Sequence, residues 1–250
     1  MPKKPSLLKR SGVKRTPNQR ILIVCEGEKT EPHYLRELIQ ALGINPQSAG
    51  CKIIDSRQEG AGSAPISIFR KAVAEFNLDK DYDKVYCVFD RDTHETYEPA
   101  RASIRSTKLI KSNLERGKKS LAEFIAITSD PRFEYWLLLH FERSTQLFSQ
   151  PGDIENKLKR YIPNYKKDTK GLFSEIKGLL FGSHGAFKNS SDCRRQVQSG
   201  DAETPITKMD ELVRQLIIAS KKEEKDLIAD WGEASKPYTA NPAVTTKKRR

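Results

Sequence analysis

The sequence predicts an α/β protein with a mostly parallel sheet flanked by helices and a helical C-terminal extension. Two apolar runs of strand length, at 21–25 and 84–89, each end in acidic residues. Between and after these runs lie segments whose apolar residues recur at helical spacing. Strands that alternate with helices form a parallel sheet that is covered on both faces. The chain of 250 residues is long enough to bury a substantial core.

The first predicted strand, 21–25, leads into a helix that starts near Thr30 and ends at Gly43. Thr30 is expected to be the N-cap, and Gly43 suits the end of a helix. A short strand at 51–55 follows, and then a helix that is capped by Ser63. The first helix is predicted to bury Leu35, Leu38, Ile39 and Leu42. The second is predicted to bury Ile66, Phe69, Val73 and Phe76.

The alternation continues with a strand at 84–89, a helix within 97–115 and a strand near 124–128. The segment 133–141 is apolar almost all round, which predicts a helix that is buried on several sides. The interval 182–201 is rich in Gly, Ser, Asn and Asp, and we predict no helix there. Three further helical segments are predicted, at 153–161, 170–180 and 204–220.

Basic residues are concentrated at the two ends of the chain. Residues 1–20 hold seven Lys and Arg and no acid, and residues 232–250 hold five against one acid, in a chain of net charge +12. We predict that both ends are disordered arms, which either strengthen binding to phosphate backbones or only aid solubility. The domain prediction is a basic arm at 1–20, an α/β domain at 21–128, a mainly helical region packed on it at 129–231, and a basic tail at 232–250.

The four cysteines are far apart and form no CxxC pair, which argues against disulfides and against a zinc site. No stretch approaches the roughly 18 consecutive apolar residues that a membrane span requires. No apolar signal segment directly follows the basic N-terminus. A cytoplasmic protein that does not enter the membrane is therefore the expectation.

Three acidic residues at the ends of predicted strands form the candidate site. Glu26 follows the first strand, and Asp90 and Asp92 follow the strand at 84–89. Ligands usually bind at the carboxyl edge of an open α/β sheet, and carboxylates gathered there suit a hard cation such as Mg²⁺. If the chain stays extended, Asp90 and Asp92 point to the same side. The alternative is that these acids only belong to a solvated turn.

Three motifs together resemble those of the RloB-like family: VCEGEKTEP at 24–32, VFDRD at 88–92 and SDPRFEYWLLLHF at 129–141. The resemblance covers about 21–220. It implies a Rossmann-like fold related to the Toprim domain, whose signature is a glutamate after the first strand and a DxD after a later one. Glu26, Asp90 and Asp92 match that signature, so the resemblance implies that they are the catalytic residues and the metal ligands.

The resemblance further implies a Mg²⁺-dependent site, an association with phage defence by abortive infection, and an ATPase as a partner. We therefore expect a nuclease that uses Mg²⁺, or Mn²⁺, to cleave nucleic acid, with DNA favoured over RNA. The alternative is a non-catalytic module that binds a nucleotide or nucleic acid and regulates the partner ATPase.

Lys29, Arg91 and Glu134 are candidate substrate contacts or supporting residues of this site. Lys29 lies in the first strand-to-helix turn, where it can contact a phosphate. Arg91 points either to a substrate phosphate or to a structural carboxylate. Glu134 lies on an apolar helix, where a carboxylate is costly to bury unless it is paired or coordinated. Glu28 and Glu31 are interpreted as capping and surface residues.

The remaining polar features have two interpretations each. His140 is interpreted as a core histidine with satisfied hydrogen bonds rather than as a site residue. Basic stretches at 105–119 and 157–170 form either a groove for a nucleic-acid backbone or ordinary charged helix faces. Tyr161 and Tyr165, in the second stretch, are the candidate stacking residues of such a groove.

Overall fold

The computed structural model describes residues 19–44, 50–55, 64–91, 94–115, 118–148, 150, 152–200 and 205–239. It confirms the predicted fold class, since a mostly parallel sheet is flanked by helices. The strands of the described residues are β1 Ile21–Cys25, β2 Cys51–Asp55, β3 Lys84–Asp90, β4 Leu109–Glu115, β5 Lys118–Asp130 and β6 Ile206–Thr207. The helices are α1 Thr30–Leu42, α2 Pro65–Leu78, α3 Tyr97–Ser106, α4 Glu134–Leu138, α5 Asp153–Leu158, α6 Leu172–Ile176, α7 Ala186–Ser199, α8 Met209–Ser220 and α9 Glu224–Trp231.

The strands form one sheet in the order β2-β1-β3-β5-β4, and β6 pairs with the C-terminal end of β5. β1, β2, β3 and β5 are parallel, whereas β4 and β6 run antiparallel to β5. The register places Cys25 of β1 beside Val88 of β3. The two strands that precede the predicted acidic residues are therefore neighbours, and both end at the carboxyl edge of the parallel sheet.

Strand β1 is buried on both faces. Ile21, Ile23 and Cys25 belong to the core that includes α1 and the C-terminal helices. Leu22 and Val24 belong to the core that includes α2 and α3. Burial on both faces explains why this strand is an uninterrupted apolar run rather than an alternation of apolar and polar residues.

Two segments differ from the sequence prediction. The helix predicted within 97–115 ends at Ser106, and strand β4, which we did not predict, follows and pairs with the first half of β5. The interval 182–201, for which no helix was predicted, contains α7. The Asn189 amide of α7 donates to the Leu139 carbonyl at 2.8 Å. Tertiary contacts of this kind stabilise a helix that its composition does not favour.

The start of α1 differs from the prediction by one residue. Lys29 occupies the cap position, and Thr30 is the first helical residue, so the prediction of Thr30 as N-cap is wrong. The Thr30 hydroxyl instead donates to the Lys167 carbonyl at 2.6 Å. Gly43 ends the helix in the left-handed conformation, with φ of 70°. The predicted cap of α2, Ser63, lies outside the described residues.

The two predicted arms fall mostly outside the described part of the chain, which excludes residues 1–18 and 240–250. Residues 232–239 lie against the helical region, beyond the boundary at which the tail was predicted to begin. Ala234 is buried there, and its N–H donates to the Phe181 carbonyl at 2.9 Å. Helix α9, which we did not predict, leads directly into this segment.

Candidate active site

Glu26 and Asp90 meet at the carboxyl edge of the sheet. The Glu26 N–H donates to the Val88 carbonyl at 2.9 Å, which extends the pairing of β1 with β3 by one residue. The Asp90 N–H donates to Oε2 of Glu26 at 3.0 Å. The structure thus brings together two of the three predicted acidic residues. The third, Asp92, lies outside the described residues.

Both residues line a pocket of about 430 Å³, which we call the carboxylate pocket. Acidic and basic side chains share its wall. The described lining residues are Glu26, Gly27, Glu28, Lys29, Thr30, Glu31, Asp90, Arg132, Glu134 and Lys167. The pocket therefore offers carboxylate oxygens, which suit a hard cation, next to cationic groups that suit a phosphate.

Glu31 is a residue of this pocket that the sequence interpretation missed. Its carboxyl group lies so close to Gly27 that a Cβ at position 27 would overlap it. Burial, together with the charges of Glu134 and Glu26, raises the pKa of Glu31 to about 7, against the opposing effects of its own backbone N–H and of Lys167. The available sequence signal was the glycine four residues earlier, which leaves room for a side chain in the first turn of α1.

Glu134 is buried at the start of α4 and lines the same pocket. The Tyr165 hydroxyl donates to Oε1 of Glu134 at 3.2 Å. Burial, and then the Glu134 charge, raise the pKa of Tyr165 above its ordinary value, so the phenol remains a hydrogen-bond donor. Tyr165 is therefore a buried partner of Glu134 and not the exposed stacking residue that one interpretation assigned to it. A carboxylate buried in this way favours a cation close by.

A second side chain of α1 anchors the segment 161–171, which contributes Lys167 to the pocket wall. The Glu37 carboxylate accepts the backbone N–H of Gly171 at 2.6 Å and that of Phe173 at 2.9 Å, at the start of α6. This contact and the Thr30 hydroxyl fix the loop that places Lys167 in the pocket wall.

The Glu37→Ala variant is expected to lose about 1–2 kcal/mol of unfolding free energy, because it removes a charged acceptor from the first N–H groups of α6. Urea denaturation measures this loss, and amide hydrogen exchange should become faster in segment 161–171. Gln40→Ala, at an exposed position of the same helix, is the matched control and should change stability by less than about 0.5 kcal/mol. Unchanged exchange in Glu37→Ala would show that the loop does not depend on this contact.

Arg91 and Lys29 have different surroundings. The Arg91 guanidinium pairs with Asp130 at 2.9 Å and lies 5.8 Å from the centre of the Tyr97 ring. The hydrogen bond and the charge of Asp130 raise the pKa of Arg91. Of the two predicted roles, the structure shows the pairing with a carboxylate, and Arg91 is not among the described residues that line the carboxylate pocket. Lys29 does line it and is exposed.

The prediction that His140 is a satisfied core histidine is confirmed. The residue is fully buried, and its Nδ1–H donates to the Trp136 carbonyl at 3.0 Å. Nε2, which is then the acceptor, lies 3.4 Å from the Tyr34 hydroxyl. Burial lowers the pKa of His140 to about 4, so the ring is neutral at ordinary pH.

A protein-family model described as RloB-like protein matches residues 21–216. The chain belongs to the RloB-like family. The match begins at β1 and reaches into α8, so it includes every described residue that lines the carboxylate pocket of this RloB-like protein. No curated protein and no solved structure matches the chain significantly. In the part of the chain that the structure describes, no helix is both long enough and apolar enough to cross a membrane.

The carboxylate pocket of the RloB-like protein has donor chemistry that fits a hard divalent cation. Glu26 and Asp90 offer carboxylate oxygens at the sheet edge, and the half-buried Glu31 and the buried Glu134 add carboxyl groups to the same wall. Among the described residues, no group of three or more His, Cys, Asp or Glu side chains is arranged to hold a metal ion. The predicted third ligand, Asp92, is not one of these residues.

Proposed function

We propose that this RloB-like protein is a Mg²⁺-dependent, Toprim-type nuclease that cleaves nucleic-acid phosphodiesters in the cytoplasm. The observation that carries the proposal is the hydrogen bond from the Asp90 N–H to the Glu26 carboxylate. It joins acids from the ends of two neighbouring parallel strands in one pocket, at the edge where open α/β sheets bind ligands. The role in antiphage defence by abortive infection is proposed from the resemblance of the family motifs.

Glu26, Asp90 and Asp92 would hold the Mg²⁺, or Mn²⁺, ion in this proposal. When bound, such an ion polarises a phosphodiester and lowers the pKa of a water molecule. Lys29 and Lys167 would bind the phosphates of the strand, because both line the pocket beside the acids. The main chain at the end of β3 would orient Glu26, because the Asp90 N–H already holds that carboxylate.

A second function is favoured by the positive charges of the carboxylate pocket. Its wall carries three cationic side chains, those of Lys29, Arg132 and Lys167, which suit a nucleotide or the end of a nucleic acid. In that case the protein is a non-catalytic module that binds such a ligand and regulates a partner ATPase.

One experiment separates the two functions. Purified protein is incubated with plasmid, linear duplex DNA, single-stranded DNA and single-stranded RNA, each in Mg²⁺, Mn²⁺ or EDTA. The nuclease proposal predicts cleavage with either metal ion, faster cleavage of DNA than of RNA, and no cleavage in EDTA. The Asp90→Ala/Asp92→Ala double variant should bind nucleic acid without cleaving it. Binding without turnover by the wild type, with the partner ATPase also present, would support the module instead.

A further inference from the structure

A second pocket, of about 570 Å³, lies in the helical region and is lined by aromatic rings. We call it the aromatic pocket, and its rings are those of Phe141, Tyr161, Trp231 and Tyr238. Phe141 and Tyr161 are stacked, with ring centres 4.9 Å apart and an angle of 7° between the planes. Tyr238 meets both rings edge-on, at 5.1 Å and 5.9 Å. Tyr238 is 44% exposed, so the pocket presents an accessible aromatic surface.

The aromatic pocket and the carboxylate pocket share one loop, residues 161–170. Lys167 lines the carboxylate pocket, whereas Asn164 and Thr169 line the aromatic pocket. Thr169 is two residues from Lys167, a separation that spans at most about 7 Å of chain. A ligand that crosses this loop therefore reaches both pockets.

The charges around the loop suit a nucleic-acid strand whose backbone and bases are separated. Lys166, Lys167 and Lys170 outnumber the one acid, Asp168, among the exposed residues of the loop, and this excess of positive charge favours phosphates. Glu175 and Glu233 line the aromatic pocket, where they disfavour phosphates but can accept hydrogen bonds from the amino groups of bases. Aromatic rings give such a base a stacking surface.

We propose that the aromatic pocket binds a nucleobase of a single strand whose backbone crosses the loop 161–170 toward the carboxylate pocket. This inference rests on the proposed function because it assumes that the ligand is a nucleic acid. It does not require that the protein cleaves the strand. Glu175 and Glu233 make the pocket favour adenine, cytosine or guanine, whose amino groups each offer two donor hydrogens, over thymine, whose single N3–H lies between two carbonyl oxygens that the carboxylates repel.

The test measures binding of the full chain to short single-stranded oligonucleotides of adenine, cytosine or thymine by fluorescence anisotropy in EDTA. The Tyr238→Ala variant should bind the adenine and cytosine strands about 5- to 150-fold more weakly than the wild type, the range that the loss of one stacked base gives. Tyr238→Phe, which keeps the ring, should restore binding. Leu147→Ala, at an exposed apolar position in the helical region, is the control and should bind as the wild type does.

The two acids give an independent second variant. Glu175→Gln/Glu233→Gln should bind the thymine strand more tightly and prefer amino-bearing bases less, because it removes two negative charges and replaces one oxygen of each carboxylate with an amide donor that can pair with a thymine carbonyl. Equal affinities of Tyr238→Ala and the wild type for every strand would overturn the proposal, as would a wild type that binds no strand. If the wild type cleaves nucleic acid but its affinity does not depend on Tyr238, the proposed role of the aromatic pocket is wrong and the nuclease proposal stands. If binding depends on Tyr238 but no strand is cleaved with Mg²⁺ or Mn²⁺, the proposed role of the aromatic pocket stands and the nuclease proposal is wrong.

Discussion

The Glu26→Gln variant is expected to cleave DNA at least about 100-fold more slowly than the wild type, since it removes part of the charge that would stabilise a bound metal ion. Glutamine keeps an oxygen that can accept the Asp90 N–H, so the local hydrogen bond survives and the negative charge alone is lost. Glu26→Ala should be at least as slow and also less stable, because it removes the acceptor of that N–H as well.

The matched control for Glu26→Gln is Glu123→Gln. Glu123 lies on β5 at the opposite end of the parallel pairing, where it is largely exposed and lies 3.4 Å from the Lys84 ammonium. Its replacement should leave the cleavage rate within about twofold of the wild type. Thermal denaturation of each variant shows whether it is folded. A folded Glu26→Gln protein with the full wild-type rate would contradict the proposed site.

The Glu31→Gln variant is expected to be more stable than the wild type at about pH 8 without metal, by up to about 3 kcal/mol. The pKa of Glu31 rises from its ordinary 4.5 to about 7, first because of burial, so the folded state binds this proton more tightly than the unfolded state does. The stability linked to this carboxyl is therefore fully present below about pH 4.5 and is lost as the pH rises through 7. Glutamine does not titrate and avoids the loss.

Urea denaturation in EDTA between about pH 5 and pH 8 measures this difference. The gap in unfolding free energy between Glu31→Gln and the wild type should widen as the pH rises. Added Mg²⁺ should narrow it, since a cation in the pocket favours the ionised carboxyl. Glu224→Gln, at an exposed position on α9 outside the carboxylate pocket, is the control variant. A gap that is constant with pH would contradict the account of Glu31.

The sequence predicts the centre of the fold better than its periphery, for a physical reason. β1 and β3 are buried on both faces, so each is a continuous apolar run that only a central parallel strand explains well. β4 has no such pattern, because Leu109 is buried while its neighbour Ile110 is 44% exposed. Helix α7 has few apolar residues, and contacts such as that of Asn189 with a distant carbonyl stabilise it.

Part of the candidate site is likewise predictable from the sequence, and part of it is not. The meeting of Glu26 and Asp90 was predictable because the ends of neighbouring parallel strands share an edge. Glu31 was not, because an acid in the first turn of a helix is usually explained by the helix dipole. Its burial depends on the pocket that Lys167 and Glu134 complete from far along the chain. Lys167 lies in the basic stretch 157–170 and Arg132 in the motif at 129–141, but no local pattern placed either of them beside Glu26.

The proposed activity depends on one cation held by carboxylates from two strand ends, and a crystal structure of the wild-type protein grown with Mn²⁺ tests this most directly. We predict an anomalous-scattering peak in the carboxylate pocket, in contact with oxygens of Glu26, Asp90 and Asp92. A pocket without a peak at saturating Mn²⁺, or a peak bound only elsewhere on the molecule, would contradict the account.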